Sequence, residues 1–155
     1  LFRSISSLIE QVSQNPGSDD IDVVIQRETT ASSENPEPRV VTMPEIVHGL
    51  GNFISNAKQF ATTEVRVVVE WTPESCQVTV QDDGPGFSPH ILSRLGEPYV
   101  SSRRESEGHM GLGVFIAQTL LERTGARVEF DNGADVGAEV KVTWPRNRLE
   151  QENAT

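Results

Sequence analysis

The chain has 155 residues, of which 35% are hydrophobic and 23% charged, the size and composition of one ordinary globular domain. A net charge of −10 excludes a general phosphate-backbone binder, which needs a basic footprint, so free nucleic acid is not an expected partner. One cysteine, Cys76, and three scattered histidines, His48, His90 and His109, exclude a disulfide scaffold and a zinc cluster.

No segment approaches the roughly 18 consecutive apolar residues of a membrane span, and Leu1-Phe2-Arg3 lacks both a methionine and a signal-peptide pattern. The expectation is a cytosolic fragment that does not itself insert into a membrane. In residues 4–13, Ile5, Leu8, Ile9 and Val12 recur at helical spacing, and Asn15-Pro16-Gly17 ends the pattern. Residues 21–26 read as a strand, 29–38 as a polar surface loop and 39–41 as a brief second strand. Thr42, with Pro44 and Glu45 after it, predicts a capping box for a helix over about 44–61. Ile46, Val47, Leu50, Phe53, Ile54, Ala57 and Ala61 form its apolar stripe, which leaves Asn52 and Asn56 one turn apart.

Residues 65–71 and 76–80 flank a proline-containing turn and predict a hairpin, closed by Asp82-Asp83-Gly84-Pro85-Gly86-Phe87. Ser88-Pro89 starts a short helix, and the polar stretch 96–110 is too long for a simple turn and predicts a lid. A helix opens at Gly111-Leu112-Gly113 and stops at Gly125, before two more strands at 127–130 and 138–144. Residues 1–145 are expected to form the domain and 146–155 a flexible polar tail. Strands paired mostly through hairpins, with helices on one face, predict an α+β two-layer sandwich: a mixed, mostly antiparallel sheet of about five strands carrying three main helices.

Four clusters could carry chemistry, and each has a purely structural alternative. Asn52 and Asn56 could be solvated helix positions, yet asparagine is a poor helix former, and two at i and i+4 make an oxygen-bearing patch suited to Mg²⁺. The Asp82–Gly86 segment could be only a tight turn, or an aspartate accepting from an exocyclic amine beside backbone that approaches a planar ligand closely. Gly108 to Gly113, at a helix start, could bind an anion through free N–H groups, although the spacing fits neither a dinucleotide fingerprint nor a P-loop. Arg103-Arg104, the one adjacent basic pair of the chain, lies in the expected lid, where a guanidinium could contact phosphate.

In this order and spacing the clusters resemble the ATP-binding domain of sensor histidine kinases, in the superfamily that also holds gyrase, Hsp90 and MutL. Residues 45–57 look like the N box, 82–87 like the first glycine box, 97–103 like the F box, 108–113 like the second glycine box and 133–137 like a third. The wording of Ile46-Val-His-Gly-Leu-Gly-Asn52, of residues 95–100 and of residues 115–123 is similar to the redox-responsive RegB/PrrB/ActS sensor kinases. The resemblance implies a Bergerat-type ATP-binding fold with ATP and Mg²⁺ as cofactors. Asn56 would ligate Mg²⁺, Asn52 would line the phosphate side, and Asp82 would bind the adenine amino group. Gly84 and Gly86 would border the base, with Phe60, Tyr99 and Leu112 as walls. Arg103 would reach the terminal phosphates, and the N–H groups of Gly108, His109, Met110, Gly111, Leu112 and Gly113 would cradle them.

Three departures accompany the resemblance: Gln59 stands where lysine is common, with Lys58 one place earlier; His109 replaces a glycine; and Ala138 replaces a threonine. No histidine has the His-Glu-x-x-x-Pro setting of a phosphoacceptor; His48 reads as a packing residue, His90 as surface and Cys76 as a structural thiol. The implied whole protein is a homodimeric bacterial inner-membrane sensor with this domain in the cytoplasm. Its dimerisation and phosphoacceptor helices and its regulatory linker cysteine would precede Leu1, and a response regulator would be its downstream partner. The alternatives are an ATP hydrolase of the gyrase, Hsp90 or MutL type, which carries a glutamate base where Asn52 stands, and a degenerate nucleotide-sensing or docking module.

Overall fold

The computed structural model describes residues 2–14, 21–29, 36–93, 105–133 and 137–150, and only the backbone of Phe2 and of 105–112. Strand β1 (Phe2–Ser4) runs into helix α1 (Ile5–Ser13), followed by β2 (Asp22–Thr29), β3 (Arg39–Val41), α2 (Pro44–Phe60), β4 (Glu64–Trp71) and β5 (Ser75–Asp82). Helices α3 (Pro89–Leu92) and α4 (Glu105–Arg123) come next, then β6 (Arg127–Asn132), β7 (Ala138–Pro145) and α5 (Arg146–Leu149).

The main sheet has the order β2-β4-β5-β7-β6, and β1 pairs with β3 in a separate ribbon. Only β2–β4 is parallel in the main sheet, and the crossover between these two strands contains α2, as a parallel connection requires. Burial alternates along the strands: Val65, Val67, Val69 and Trp71 of β4 face the core with Cys76, Val78 and Val80 of β5 and Val140, Val142 and Trp144 of β7. Glu64, Arg66, Gln77, Lys141 and Thr143 lie on the opposite, more open face. Helices α1, α2 and α4 cover the apolar face with Ile5, Leu8, Ile9, Ile46, Leu50, Ile54, Val114, Ala117 and Leu121. The architecture is the expected mixed five-stranded sandwich. Among the described residues no helix is long and apolar enough to cross a membrane.

Four local expectations change. Helix α2 starts at Pro44 with Met43 as its N-cap and no side-chain capping bond, so Thr42 caps nothing. Proline at the first helical position presets φ and removes one orphan N–H, which makes the side-chain cap dispensable. Helix α4 starts at Glu105, six residues before Gly111; Glu105, Ser106 and Glu107 suit a helix N-terminus, where the macrodipole favours acidic groups. The expected lid therefore contributes residues 105–110 to a helix, while its remainder, 96–104, lies outside the described residues. Strand β2 continues to Thr29 because every residue from Asp22 onward has a register partner on β4.

The fourth change concerns the C-terminal tail, which is folded through Glu150. Leu149 is buried, Arg146 pairs with Glu150 at 3.0 Å, and its guanidinium also donates to the carbonyls of Thr72 and Pro36. A hydrophobic residue three places into α5 docks the helix, and a largely buried arginine satisfies carbonyls of two loops.

Candidate functional site

The site lies where the C-terminal end of β5 meets α2. Register places Val67, Val80, Val140 and Phe130 in one cross-strand row on the helix-covered face. Phe130 also meets Phe53 of α2 edge to face, ring centroids 5.9 Å apart. Above this floor is a cavity of about 220 Å³ lined by Asn56, Phe60, Asp82, Gly86, Phe87 and Val114, among others. Aromatic and aliphatic walls with a few polar groups are the composition expected of a small-molecule site.

Asp82 is the buried acid of that wall, 8% exposed at the end of β5. Its Oδ1 accepts from the N–H of Gly84 at 2.9 Å and of Ala138 at 3.3 Å. Burial pushes its carboxyl above the usual carboxylate range, against the lowering effect of those two N–H donors. Oδ2 takes no part in those two bonds and can accept from a ligand N–H without breaking them. Two glycines make the arrangement possible: a Cβ on Gly84 would collide with the carbonyl oxygen of Phe60, and one on Gly137 with that of Asp82.

The neighbouring Asp83 does different work, not foreseen from its place in the motif. Its carboxylate accepts from the N–H groups of Thr62, Thr63 and Glu64 and from the Thr63 hydroxyl. Those bonds, the hydroxyl first, hold it far below the usual range. Asp83 thus fastens the α2–β4 connection to the elbow, and Asp82 is left for the cavity.

On α2, the Asn56 amide nitrogen donates to Asn52 Oδ1 at 3.3 Å, which leaves Asn56 Oδ1 free of that contact. Gly113 of α4 packs against this pair, a Cβ there lying 3.1 Å from Asn52 Nδ2. Asn56 lines the cavity together with Phe60, Asp82 and Gly86, so four of the expected residues, from α2, β5 and the turn after it, converge on one space. Among the described residues no group of three His, Cys, Asp or Glu could hold a metal unaided. A single amide oxygen is nonetheless a suitable donor for Mg²⁺ that brings phosphate and water oxygens with it, so Asn56 fits the implied ion.

Other expected site residues are placed differently or not described. Gly108, Met110, Gly111 and Leu112 lie within α4 rather than before it, so most of their N–H groups fall beyond the first turn, where the helix uses them itself. Tyr99 and Arg103 lie outside the described residues. Lys58 donates to the carbonyl of Ser13 at 2.6 Å and closes the end of α1, so α2 directs no lysine from that position into the cavity. His48 is exposed rather than packed, and His90 is exposed as expected. Cys76 is fully buried and its thiol is pushed up to about 12, chiefly by that burial, as befits a structural residue. Missed in the sequence were Ile91, Val114 and Phe130 as cavity walls, and Asn132, whose amide bonds both backbone groups of Phe87.

The family model described as histidine kinase-, DNA gyrase B-, and HSP90-like ATPase matches residues 43–148, which include the asparagine pair, the elbow and the glycine-rich start of α4. The chain belongs to this family. Sensor histidine kinase RegB of Cereibacter sphaeroides is 42% identical over 132 residues, covering 73% of this chain and 29% of RegB. Sensor protein QseC of Escherichia coli K12 is 33% identical over 93 residues, covering 60% of this chain and 20% of QseC. The chain thus spans less than a third of these relatives. The fold matches full-length ShkA in complex with AMPPNP (TM-score 0.72, 23% identity, 94% of this chain and 30% of that one). It also matches the nucleotide-free catalytic domain of histidine kinase ThkA (TM-score 0.68, 17% identity, 94% and 96% of the two chains). This family member is an ATP-binding catalytic domain of the sensor histidine kinase kind.

Proposed function

We propose that the domain binds Mg-ATP with its base in the cavity between α2 and β5 and presents the γ-phosphate to a phosphoacceptor histidine on a dimerisation domain outside this chain. The observation that carries the reading is the convergence of a buried carboxylate, Asp82, and a helix amide, Asn56, on one apolar cavity. Asp82 would accept from the adenine amino group, while Phe60 and the backbone at Gly84 and Gly86 border the base. Asn56 would hold Mg²⁺, and Asn52, one turn earlier, would line the phosphates. Bound Mg²⁺ supplies charge neutralisation of the phosphates. Tyr99 and Leu112 would add walls, Arg103 and the segment from Gly108 to Gly113, Met110 included, would complete the phosphate side, and that segment must loosen from α4 to free its N–H groups.

Phosphoryl transfer asks a protein mainly for positioning and charge neutralisation. Asn52 also supports transfer over hydrolysis, because an amide cannot take a proton from water as a glutamate base would. By similarity to RegB, the whole protein would be a redox-responsive, dimeric membrane sensor that serves a response regulator, with this domain in the cytoplasm. Incubating the domain with Mg-ATP labelled at the γ-phosphate and a separately purified phosphoacceptor domain tests the proposal. Phosphohistidine on the acceptor, lost with Asn56→Ala, is the expected result; Mg-ATP binding without any transfer would leave a nucleotide-sensing module instead.

A further inference from the structure

Asn132 is the last residue of β6, a strand at the edge of the sheet. Its Oδ1 accepts from the Phe87 N–H at 2.8 Å and its Nδ2 donates to the Phe87 carbonyl at 3.0 Å. The side-chain amide therefore pairs with Phe87 as a neighbouring strand's backbone would, on a segment that belongs to no strand. Its register partner is Ala138, the residue whose N–H donates to Asp82 Oδ1. The end of the β6–β7 hairpin thus grips the elbow on both flanks, at Asp82 where it begins and at Phe87 where it ends. The hairpin loop is itself closed by the Gly133 N–H to Gly137 carbonyl bond at 2.9 Å.

Between the two grips, Gly86 has φ +82°, and a Cβ there would lie 2.9 Å from Asn132 Oδ1, so the amide packs directly on the turn. Pro85, Gly86, Phe87 and Ser88 all line the cavity. A shift at Phe87 therefore changes the space offered to a ligand. Asparagine is the short side chain able to do this, because it presents a donor and an acceptor together; aspartate lacks the donor, and serine cannot span both groups at once.

We propose that Asn132 is a positioning residue for nucleotide: by bonding both backbone groups of Phe87 it fixes the 84–88 elbow as one wall of the cavity. The inference rests on the reading of that cavity as the ATP site. Asn132 itself does not line the cavity, so its effect is on ligand affinity through Phe87 and not on the transferred phosphoryl group.

The test compares wild-type protein with Asn132→Ala and Asn132→Asp. In the nucleotide-free protein, hydrogen exchange of the Phe87 amide is expected to speed up in Asn132→Ala while that of Val78 in the middle of the sheet does not change. The Kd for Mg-ATP is expected to rise about five- to tenfold, the worth of one to two neutral hydrogen bonds, with the phosphotransfer rate at saturating nucleotide unchanged. Asn132→Asp keeps the acceptor for the Phe87 N–H and loses the donor to its carbonyl, so at pH 7 it should fall between Asn132→Ala and wild type. It should draw closer to wild type as the pH is lowered, since a protonated carboxyl again donates to the Phe87 carbonyl. Unchanged Phe87 exchange, or an unchanged Kd, in a wild-type background that binds nucleotide would overturn the role of Asn132 alone. Faster exchange at Phe87 and Val78 together would reduce Asn132 to a general stabiliser and overturn it too. A wild-type protein that binds no nucleotide would overturn the reading of the site itself, and this inference with it.

Discussion

The Asp82 carboxylate at the end of β5 accepts the N–H of Ala138, 56 positions later at the start of β7, across 3.3 Å. This bond joins the acid proposed to read the nucleotide base to a strand end that the sequence places far away. It also holds an ionisable group where solvation is poor, and that has a measurable cost.

Burial raises the Asp82 carboxyl above the ordinary carboxylate value of 3.8. A carboxyl that ionises less readily folded than unfolded favours the folded state only while protonated, so its contribution is lost as the pH rises through the elevated value. Asp82→Asn keeps an acceptor oxygen for Gly84 and Ala138 and removes the buried charge. The nucleotide-free variant should be more stable than wild type at pH 7, with the gap closing as the pH falls toward 3.8. Urea midpoints measured across that range test this, and equal midpoints at pH 7 would contradict it.

Asp83 should show the opposite sign. Its carboxyl is held below the ordinary carboxylate value of 3.8 by the Thr63 hydroxyl first and by the N–H groups of Thr63, Glu64 and Thr62. A depressed value stabilises the fold above the ordinary range, and that stabilisation is lost as the pH falls below it. Asp83→Ala should lower the thermal midpoint at pH 7, with the difference from wild type narrowing below about pH 3.8. A constant difference across the titration would show that charge plays no part.

Glycine positions separate a site requirement from helix propensity. Gly84→Ala drives a methyl into the Phe60 carbonyl and should cost about 2–3 kcal/mol of stability, with loss of nucleotide binding. Gly51, within α2, has only Val12 Cβ near a would-be methyl, at 3.9 Å. Gly51→Ala should therefore stabilise by about 0.5–1 kcal/mol and leave binding intact. Denaturant melts with a binding assay check both, and destabilisation by Gly51→Ala would point to contacts of α2 that the structure does not contain.

Legibility in the sequence followed the range of the forces involved. The α2 stripe, the β4–β5 hairpin and the Asp82–Gly86 elbow rest on local periodicity and turn chemistry, and each appears where the pattern put it. Thr42 misled because Pro44 starts the helix without a side-chain cap. The start of α4 was misplaced because glycines suggested a boundary that the acidic residues before them do not respect. The polar composition of the tail hid the one buried leucine, Leu149, that docks α5. Lys58 could not be assigned to Ser13, nor Asn132 to Phe87, since each pair is 45 positions apart and meets only through the packed sheet and helices.

The chain carries −10, yet its proposed ligand is a polyanion, so binding must depend on local neutralisation by the ion that Asn56 would hold. The most direct measurement is equilibrium titration of the domain with a labelled ATP analogue, with Mg²⁺ and with EDTA. The account predicts saturable binding in Mg²⁺, weakened at least about tenfold by Asp82→Ala, the loss of a charge-assisted hydrogen bond, and abolished by EDTA. Equal binding in EDTA, or no saturable binding at all, would contradict it.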